Sequence, residues 1–266
     1  GTGALFRTAP EGSARRGASF VYRATLIAVL VHAYLMLREL LPLLRPDAVD
    51  AELLAVDRWL FGFEPALWLE RFNHTPIVEW FAFFYFSYFF ICAAFCFGFV
   101  LGRRPDRVTS EFIFGGCFVF FSGPLGYLLV PGVGPGVFQA DAFTGPVQGG
   151  FFWDCVLAVV GAGGAMKDIF PSLHTALPCF FAAFCWFQWS RSRREDQPRR
   201  AWLAGGLVVT FFASNIVVST MLLRWHYAID VVAGLLLAAT ALYIAPRAVA
   251  LESRSRRKAG LPAFDW

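Results

Sequence analysis

The chain has 266 residues, 58% of them hydrophobic, 18% aromatic and only 16% charged, with a formal net charge of +4. A soluble domain of this length normally carries about 25% charged residues, so the composition argues against a water-soluble fold, and no nucleic-acid partner is expected. The apolar residues come in runs of about twenty or more, long enough to cross a hydrocarbon layer roughly 30 Å thick.

In chain order, six spans are expected, at 20–44, 76–101, 109–130, 172–190, 201–222 and 227–249. The first run is too long for a signal-peptide core and no clear cleavage site follows it. The stretch 45–75 mixes Asp47, Asp50, Glu52, Asp57, Glu64 and Glu70 with Leu, Trp and Phe, which suits helices lying along the membrane surface. The stretch 131–170 is rich in Gly and Pro and reads as a structured loop, with little room for a helix before about residue 152. The fold class predicted is all-α: a single integral membrane domain, a bundle of six transmembrane helices with an interfacial helical segment after the first. Residues 1–19 and 250–266 are its tails.

Orientation follows from the basic residues, which favour the cytoplasmic side. Arg7, Arg15, Arg16, Arg23, Arg103, Arg104, Arg107, Arg191, Arg193, Arg194, Arg199, Arg200, Arg247, Arg254, Arg256, Arg257 and Lys258 fall on one side, 17 of the 23 Lys and Arg. Arg38, Arg45, Arg58, Arg71, Lys167 and Arg224 fall on or near the other. Both termini are therefore expected in the cytoplasm, in a multi-pass protein of a bacterial inner membrane. Five of the six cysteines lie inside apolar runs and read as packing residues.

Three ionisable residues carry the chemistry. His226 and Asp230 are four apart, which places them one turn apart on a helix face. A carboxylate there can hold one imidazole nitrogen and leave the other free to attack. The plainer alternative is an interfacial histidine beside a local cap. His174 lies in Asp168-Ile169-Phe170-Pro171-Ser172-Leu173-His174-Thr175, where Pro171 suits a first helical turn and Asp168 or Ser172 can cap it. A helix start offers free N–H groups to a phosphate, and a histidine in that turn can protonate a leaving alkoxide. A lone histidine there is otherwise an ordinary surface residue. All three stand at the non-cytoplasmic end of their spans.

Together these pieces resemble the type 2 phosphatidic acid phosphatase superfamily, which carries Pro-Ser-Gly-His and, one helix pair later, Ser-Arg-x5-His-x3-Asp. Here the chain reads Pro171-Ser172-Leu173-His174, then Ser219-Thr220 and His226-x3-Asp230. The resemblance implies a six-helix bundle in which His226 is the nucleophile that forms a phosphohistidine, Asp230 orients it and His174 is the acid. The family arginine is replaced by Thr220, no Lys-x6-Arg-Pro motif is present, and Gly126-Tyr127-Leu128-Leu129-Val130-Pro131 stands where that motif belongs. Phe170-Pro171-Ser172-Leu173-His174 and His226-Tyr227-Ala228-Ile229-Asp230 are similar to the inositolphosphotransferase branch, which includes inositol phosphorylceramide synthases. The similarity covers roughly residues 75–245, the expected catalytic core.

A phosphoryl group in transfer needs positive charge and N–H donors around its oxygens. Lys167 and Arg224 are the available substitutes for the missing cations, and Ser172 can offer its hydroxyl or amide. Arg224 helps only if the last helix starts near Trp225, and both cations also suit a plain headgroup-level anchor. No carboxylate cluster suits magnesium, so neither metal nor other cofactor is expected. The function expected is a phosphotransferase or phosphatase acting on a lipid phosphate or phosphodiester, with inositol, a lipid hydroxyl or water as acceptor, in contact with membrane lipids. A non-catalytic lipid-binding or transport protein is the rival. The aromatic run at 81–86 reads as packing or lipid-facing surface, His32 as bonded to a neighbouring helix, and His74 as solvated.

Overall fold

The computed structural model describes residues 13–101, 107–164, 166–195 and 199–261, and every regular element among them is a helix. Among the described residues, five helices are long and apolar enough to cross a membrane. These spans are Phe20–Leu44 within α1 (Ser13–Leu44), Thr75–Gly98 within α4 (Thr75–Leu101), α5 (Arg107–Leu129), α9 (Arg199–Leu222) and α10 (Ala228–Lys258). Between the first two lie α2 (Asp50–Phe61), α3 (Pro65–Leu69) and a 3₁₀ turn, Glu70–Phe72. These are the short helices expected over 45–75. The Gly/Pro-rich stretch holds only α6 (Pro135–Phe138) and another 3₁₀ turn before α7 (Phe151–Gly163), as its composition predicts. Arg7, Arg103 and Arg104 of the orientation pattern lie outside the described residues.

The remaining expected span, 172–190, forms α8 (Leu173–Glu195), a helix of 23 residues that composition alone does not mark as a crossing. Its position explains why. It stands in the middle of the bundle, packed against α4, α5, α9 and α10. There Phe180, Phe181 and Phe184 meet Tyr88, Val119, Ile216 and Ala241. A helix walled by other helices has no lipid to face, so it can carry His174, Thr175 and Gln188 without exposing them to hydrocarbon. The outer helices show the converse, with Phe90, Phe97, Leu125 and Leu236 exposed on their outward faces. His32 is also exposed on α1 and makes no bond to a neighbouring helix among the described residues; the bonds from α1 come instead from Tyr34 to Asp168 and from Arg38 to the Gly161 and Ala162 carbonyls of α7.

Polar groups tie the helices at both ends of the bundle. At one end Glu111 of α5 is fully buried and accepts from Arg107 Nε at 2.7 Å, Arg191 Nη1 at 2.9 Å and Gln188 Nε2 at 3.4 Å. A carboxylate out of water needs such partners. At the other end, Lys167 Nζ donates to the carbonyls of Arg45, Pro46 and Asp47 at 2.8, 2.6 and 3.0 Å. These carbonyls follow the end of α1. Arg45 Nη1 in turn donates to the Leu128 and Leu129 carbonyls at the end of α5. Cations there satisfy carbonyls that have no partner within the helix. Gly126 completes this end: a Cβ on it would stand 2.2 Å from Pro171 Cδ and 2.7 Å from the Phe170 carbonyl, so only glycine lets α5 run this close to the chain entering α8.

Candidate active site

Two helix starts meet at this second end. Ser172 precedes α8 and is fully buried; its hydroxyl accepts the Thr175 amide at 3.3 Å, an N-cap. Its own amide donates to the Asp230 carbonyl at 3.1 Å, fastening the start of α8 to the start of α10.

His226 and Asp230 do meet, but not as two residues on one helical turn. The helix α10 begins at Ala228, and Tyr227 before it is extended, with φ −71° and ψ 159°. Asp230 is the third helical residue, and its Oδ2 reaches back to the Tyr227 amide at 2.9 Å and to His226 Nδ1 at 3.3 Å. This is the reach of a capping carboxylate toward the residue before the helix. The amides of Trp225 and His226 both donate to the Thr220 carbonyl, at 3.0 and 3.1 Å. The turn between α9 and α10 is thus held at each residue. With Nδ1 facing a carboxylate, the neutral imidazole carries its proton on Nδ1, and Nε2 keeps the lone pair.

His174 faces this turn from α8, with its ring centroid 6.3 Å from that of His226. Tyr85 stacks on it at 4.3 Å and 16°, Tyr88 lies at 4.0 Å, and Phe89 meets it edge-on at 5.6 Å. These three residues of α4 share one face, at positions i, i+3 and i+4. The aromatic run thus has an inner side that holds His174, while Phe83 and Phe90 are exposed on its outer side. Buried polar atoms without a hydrogen-bond partner among the described residues include His174 Nε2, Asp230 Oδ1, Thr175 Oγ1 and Trp225 Nε1. An unmatched buried polar atom costs about 1–3 kcal/mol; it is tolerated where function requires it. Tyr127, from the Gly126-to-Pro135 segment, lies within electrostatic range of Asp168 and Asp230, and Tyr34 Oη donates to Asp168 Oδ2 at 2.7 Å.

The structure gives the two candidate cations other partners. Lys167 directs its ammonium to the three carbonyls after α1. Arg224 has a left-handed backbone, φ 66°, and a buried side chain. Its Nη1 donates to the Gly145 carbonyl at 2.8 Å, its Nη2 stands 3.4 Å from Glu70 Oε1, and its guanidinium lies 3.8 Å over the Phe143 ring. Neighbouring backbone holds this conformation: the Gly136 amide donates to the Arg224 carbonyl at 2.8 Å. A Cβ on Gly134, itself at φ +88°, would stand 2.4 Å from the Trp225 carbonyl. Thr220, at the position of the expected arginine, is buried and turns its hydroxyl to the Val217 carbonyl at 2.7 Å.

Two residues that sequence reasoning passed over complete the site. Asp57 of α2 accepts the Ala228 amide on Oδ2 and the Ile229 amide on Oδ1, both at 2.8 Å. Burial pushes its carboxyl above the usual range, and these two amides pull the other way. Asp50 accepts the Val133 and Gly134 amides at 2.9 Å each and the Tyr227 hydroxyl at 3.0 Å. Burial and this carboxylate push the Tyr227 phenol well up, so it stays a donor. The signal was present: Asp50, Leu53, Leu54 and Asp57 are the buried stripe of α2, with the i, i+3, i+4, i+7 spacing of a core face that is half acidic.

A family model described as the PAP2 superfamily matches residues 51–244. No curated protein and no solved structure matches the chain.

Proposed function

Because the chain belongs to the PAP2 superfamily, a family of lipid-phosphate phosphatases and phosphotransferases, we propose that it transfers a phospho-headgroup between a lipid donor and a hydroxyl acceptor by double displacement on His226. The observation that carries this reading is the facing pair of imidazoles, 6.3 Å apart, one of them held on Nδ1 by a buried aspartate.

In this mechanism Nε2 of His226 attacks phosphorus and forms an N–P bond as the P–O bond to the leaving group breaks. His174 donates its proton to the departing oxygen, an assistance worth about 10²–10⁴ in rate. The acceptor hydroxyl then attacks the phosphohistidine, giving its proton to His174, and the N–P bond breaks to restore His226. Asp230 stabilises the charged imidazole throughout. The phosphoryl oxygens sit at the start of α8, where the amides of Leu173 and His174 have no acceptor within the helix. Ser172 supports that end as its cap. In this reading Lys167 and Arg224 shape the rim and do not bind phosphate, since each is engaged elsewhere. The segment His226-Tyr227-Ala228-Ile229-Asp230 supports the transferase branch, and Tyr227 has a defined place in it as the donor to Asp50.

We further propose six crossings, α8 being the one added to the five above, with both termini cytoplasmic and the site on the periplasmic or lumenal side. The excess of Lys and Arg at the opposite end of the bundle supports this.

Purified protein and His226→Ala are to be compared on phosphodiester and phosphomonoester lipids, with and without inositol. A new phosphodiester that depends on His226 supports transfer, and release of free phosphate identifies water as the acceptor. Equal product from both proteins, or product from neither, overturns the reading.

A further inference from the structure

The nucleophile stands on a turn whose position is set from outside the helices that carry the motifs. His226 lies two residues before Ala228, and the first amides of α10, Ala228 and Ile229, are both taken by the Asp57 carboxylate. A carboxylate bridging two successive amides fixes a helix start in height and in rotation, because each oxygen accepts along its own direction. Asp57 itself is held by α2, whose Leu53 and Leu54 pack with Tyr227 and Ile169 in one small core. Seven residues earlier on the same face, Asp50 holds the Tyr227 hydroxyl and the amides of Val133 and Gly134.

We propose that Asp57 is a positioning residue for the reaction, setting the start of α10 so that Asp230 Oδ2 meets His226 Nδ1, with Asp50 steadying the same turn through Tyr227. This rests on the role proposed for His226. The geometry leaves little slack. Asp230 must satisfy the Tyr227 amide at 2.9 Å and His226 Nδ1 at 3.3 Å with one oxygen. If the start of α10 shifts by a fraction of a turn, one of the two is lost. Asp57 has a second consequence. An anion attracted to the start of a helix finds the start of α10 filled by the Asp57 carboxylate of α2. The start of α8, one residue from His174, is then the end that remains for the phosphoryl group.

The test uses the full chain in detergent or nanodiscs: wild type, Asp57→Asn, Asp57→Ala, His226→Ala and the control Glu52→Gln, exposed on the same helix. Turnover, KM for the lipid donor and the rate of phosphohistidine labelling are read per folded molecule, alongside the thermal midpoint. Asp57→Ala leaves both amides bare and risks unfolding, whereas Asp57→Asn keeps one acceptor. For Asp57→Asn we expect kcat and the labelling rate to fall about 10- to 100-fold, the cost of a small misplacement of a reacting group. KM should stay within about threefold of wild type, and Glu52→Gln should behave as wild type. Asp57→Asn with wild-type kcat, or with losses that vanish once unfolded protein is discounted, overturns the proposal and leaves Asp57 a helix cap. Activity retained in His226→Ala overturns instead the role of His226 on which the proposal stands.

Discussion

The phenol ring of Tyr85 lies flat against the imidazole of His174, centroids 4.3 Å apart and planes 16° apart. A flat stack fixes the plane of the imidazole that donates a proton in the proposed mechanism, and such ring pairs contribute about 0.5–1.5 kcal/mol. Tyr85→Phe keeps the stack and should retain wild-type kcat. Tyr85→Ala should lose about three- to tenfold in kcat at similar KM. A large loss in Tyr85→Phe would mean that the hydroxyl, and not the ring, matters.

Lys167 meets three carbonyls at the end of α1 and should act on stability. Lys167→Met should cost about 1–2 kcal/mol, the range for hydrogen bonds from a charged group at a partly exposed site, seen as a lower thermal midpoint. The KM of the folded fraction should change by less than about threefold. A KM raised tenfold or more with an unchanged midpoint would return Lys167 to the phosphate.

Gly126 allows α5 to pass the chain that leads into Ser172 and His174. Gly126→Ala places a methyl within 2.2 Å of Pro171 Cδ and should destabilise the fold by about 1–3 kcal/mol. Because the strain falls beside the start of α8, activity of the folded fraction should fall too. Wild-type stability in Gly126→Ala would show that α5 and this chain are further apart.

Asp57 supplies a pH dependence with a definite sign. Burial raises its carboxyl pKa above the ordinary value in the folded protein. Folding therefore favours the protonated form, and the contribution to stability is fully present below about pH 3.9, the unfolded value. It is lost as pH rises through the higher folded value. The stability of wild type relative to Asp57→Asn, which cannot titrate there, should thus fall as pH rises from about 3.9 and level off above the folded pKa. Chemical denaturation of both proteins across this range measures it; a difference that rises with pH would contradict the burial of this carboxylate.

Spans, loops and the start of α7 could be read along the chain, because hydropathy and Gly/Pro content are local properties. α8 was found by its run of apolar residues and its motif. It nevertheless carries more polarity than an isolated crossing tolerates, since shelter by four neighbouring helices is not written in its own composition. The pairing of His226 with Asp230 was legible from their spacing although the helix begins later than expected. A carboxylate at the third helical position reaches backward about as far as it would reach along a full turn.

What the sequence by itself determined is therefore the set of helices, the clustering of positive charge at one end of them, and the residue types at two helix starts. Tertiary structure decided which of those residues meet. His174 approaches His226 only because α8 runs through the centre of the bundle and its start is fastened to the Asp230 carbonyl. Lys167 and Arg224 stand out by charge and by their place beside the two motifs, but a long flexible side chain can reach many acceptors. Which it takes depends on the carbonyls and carboxylates that distant segments bring within a few ångströms. Asp50 and Asp57 looked like interfacial charge for the same reason. Their buried role appears only once the amides of Val133, Gly134, Ala228 and Ile229 are folded onto them, because a carboxylate leaves water only where donors replace the water it loses.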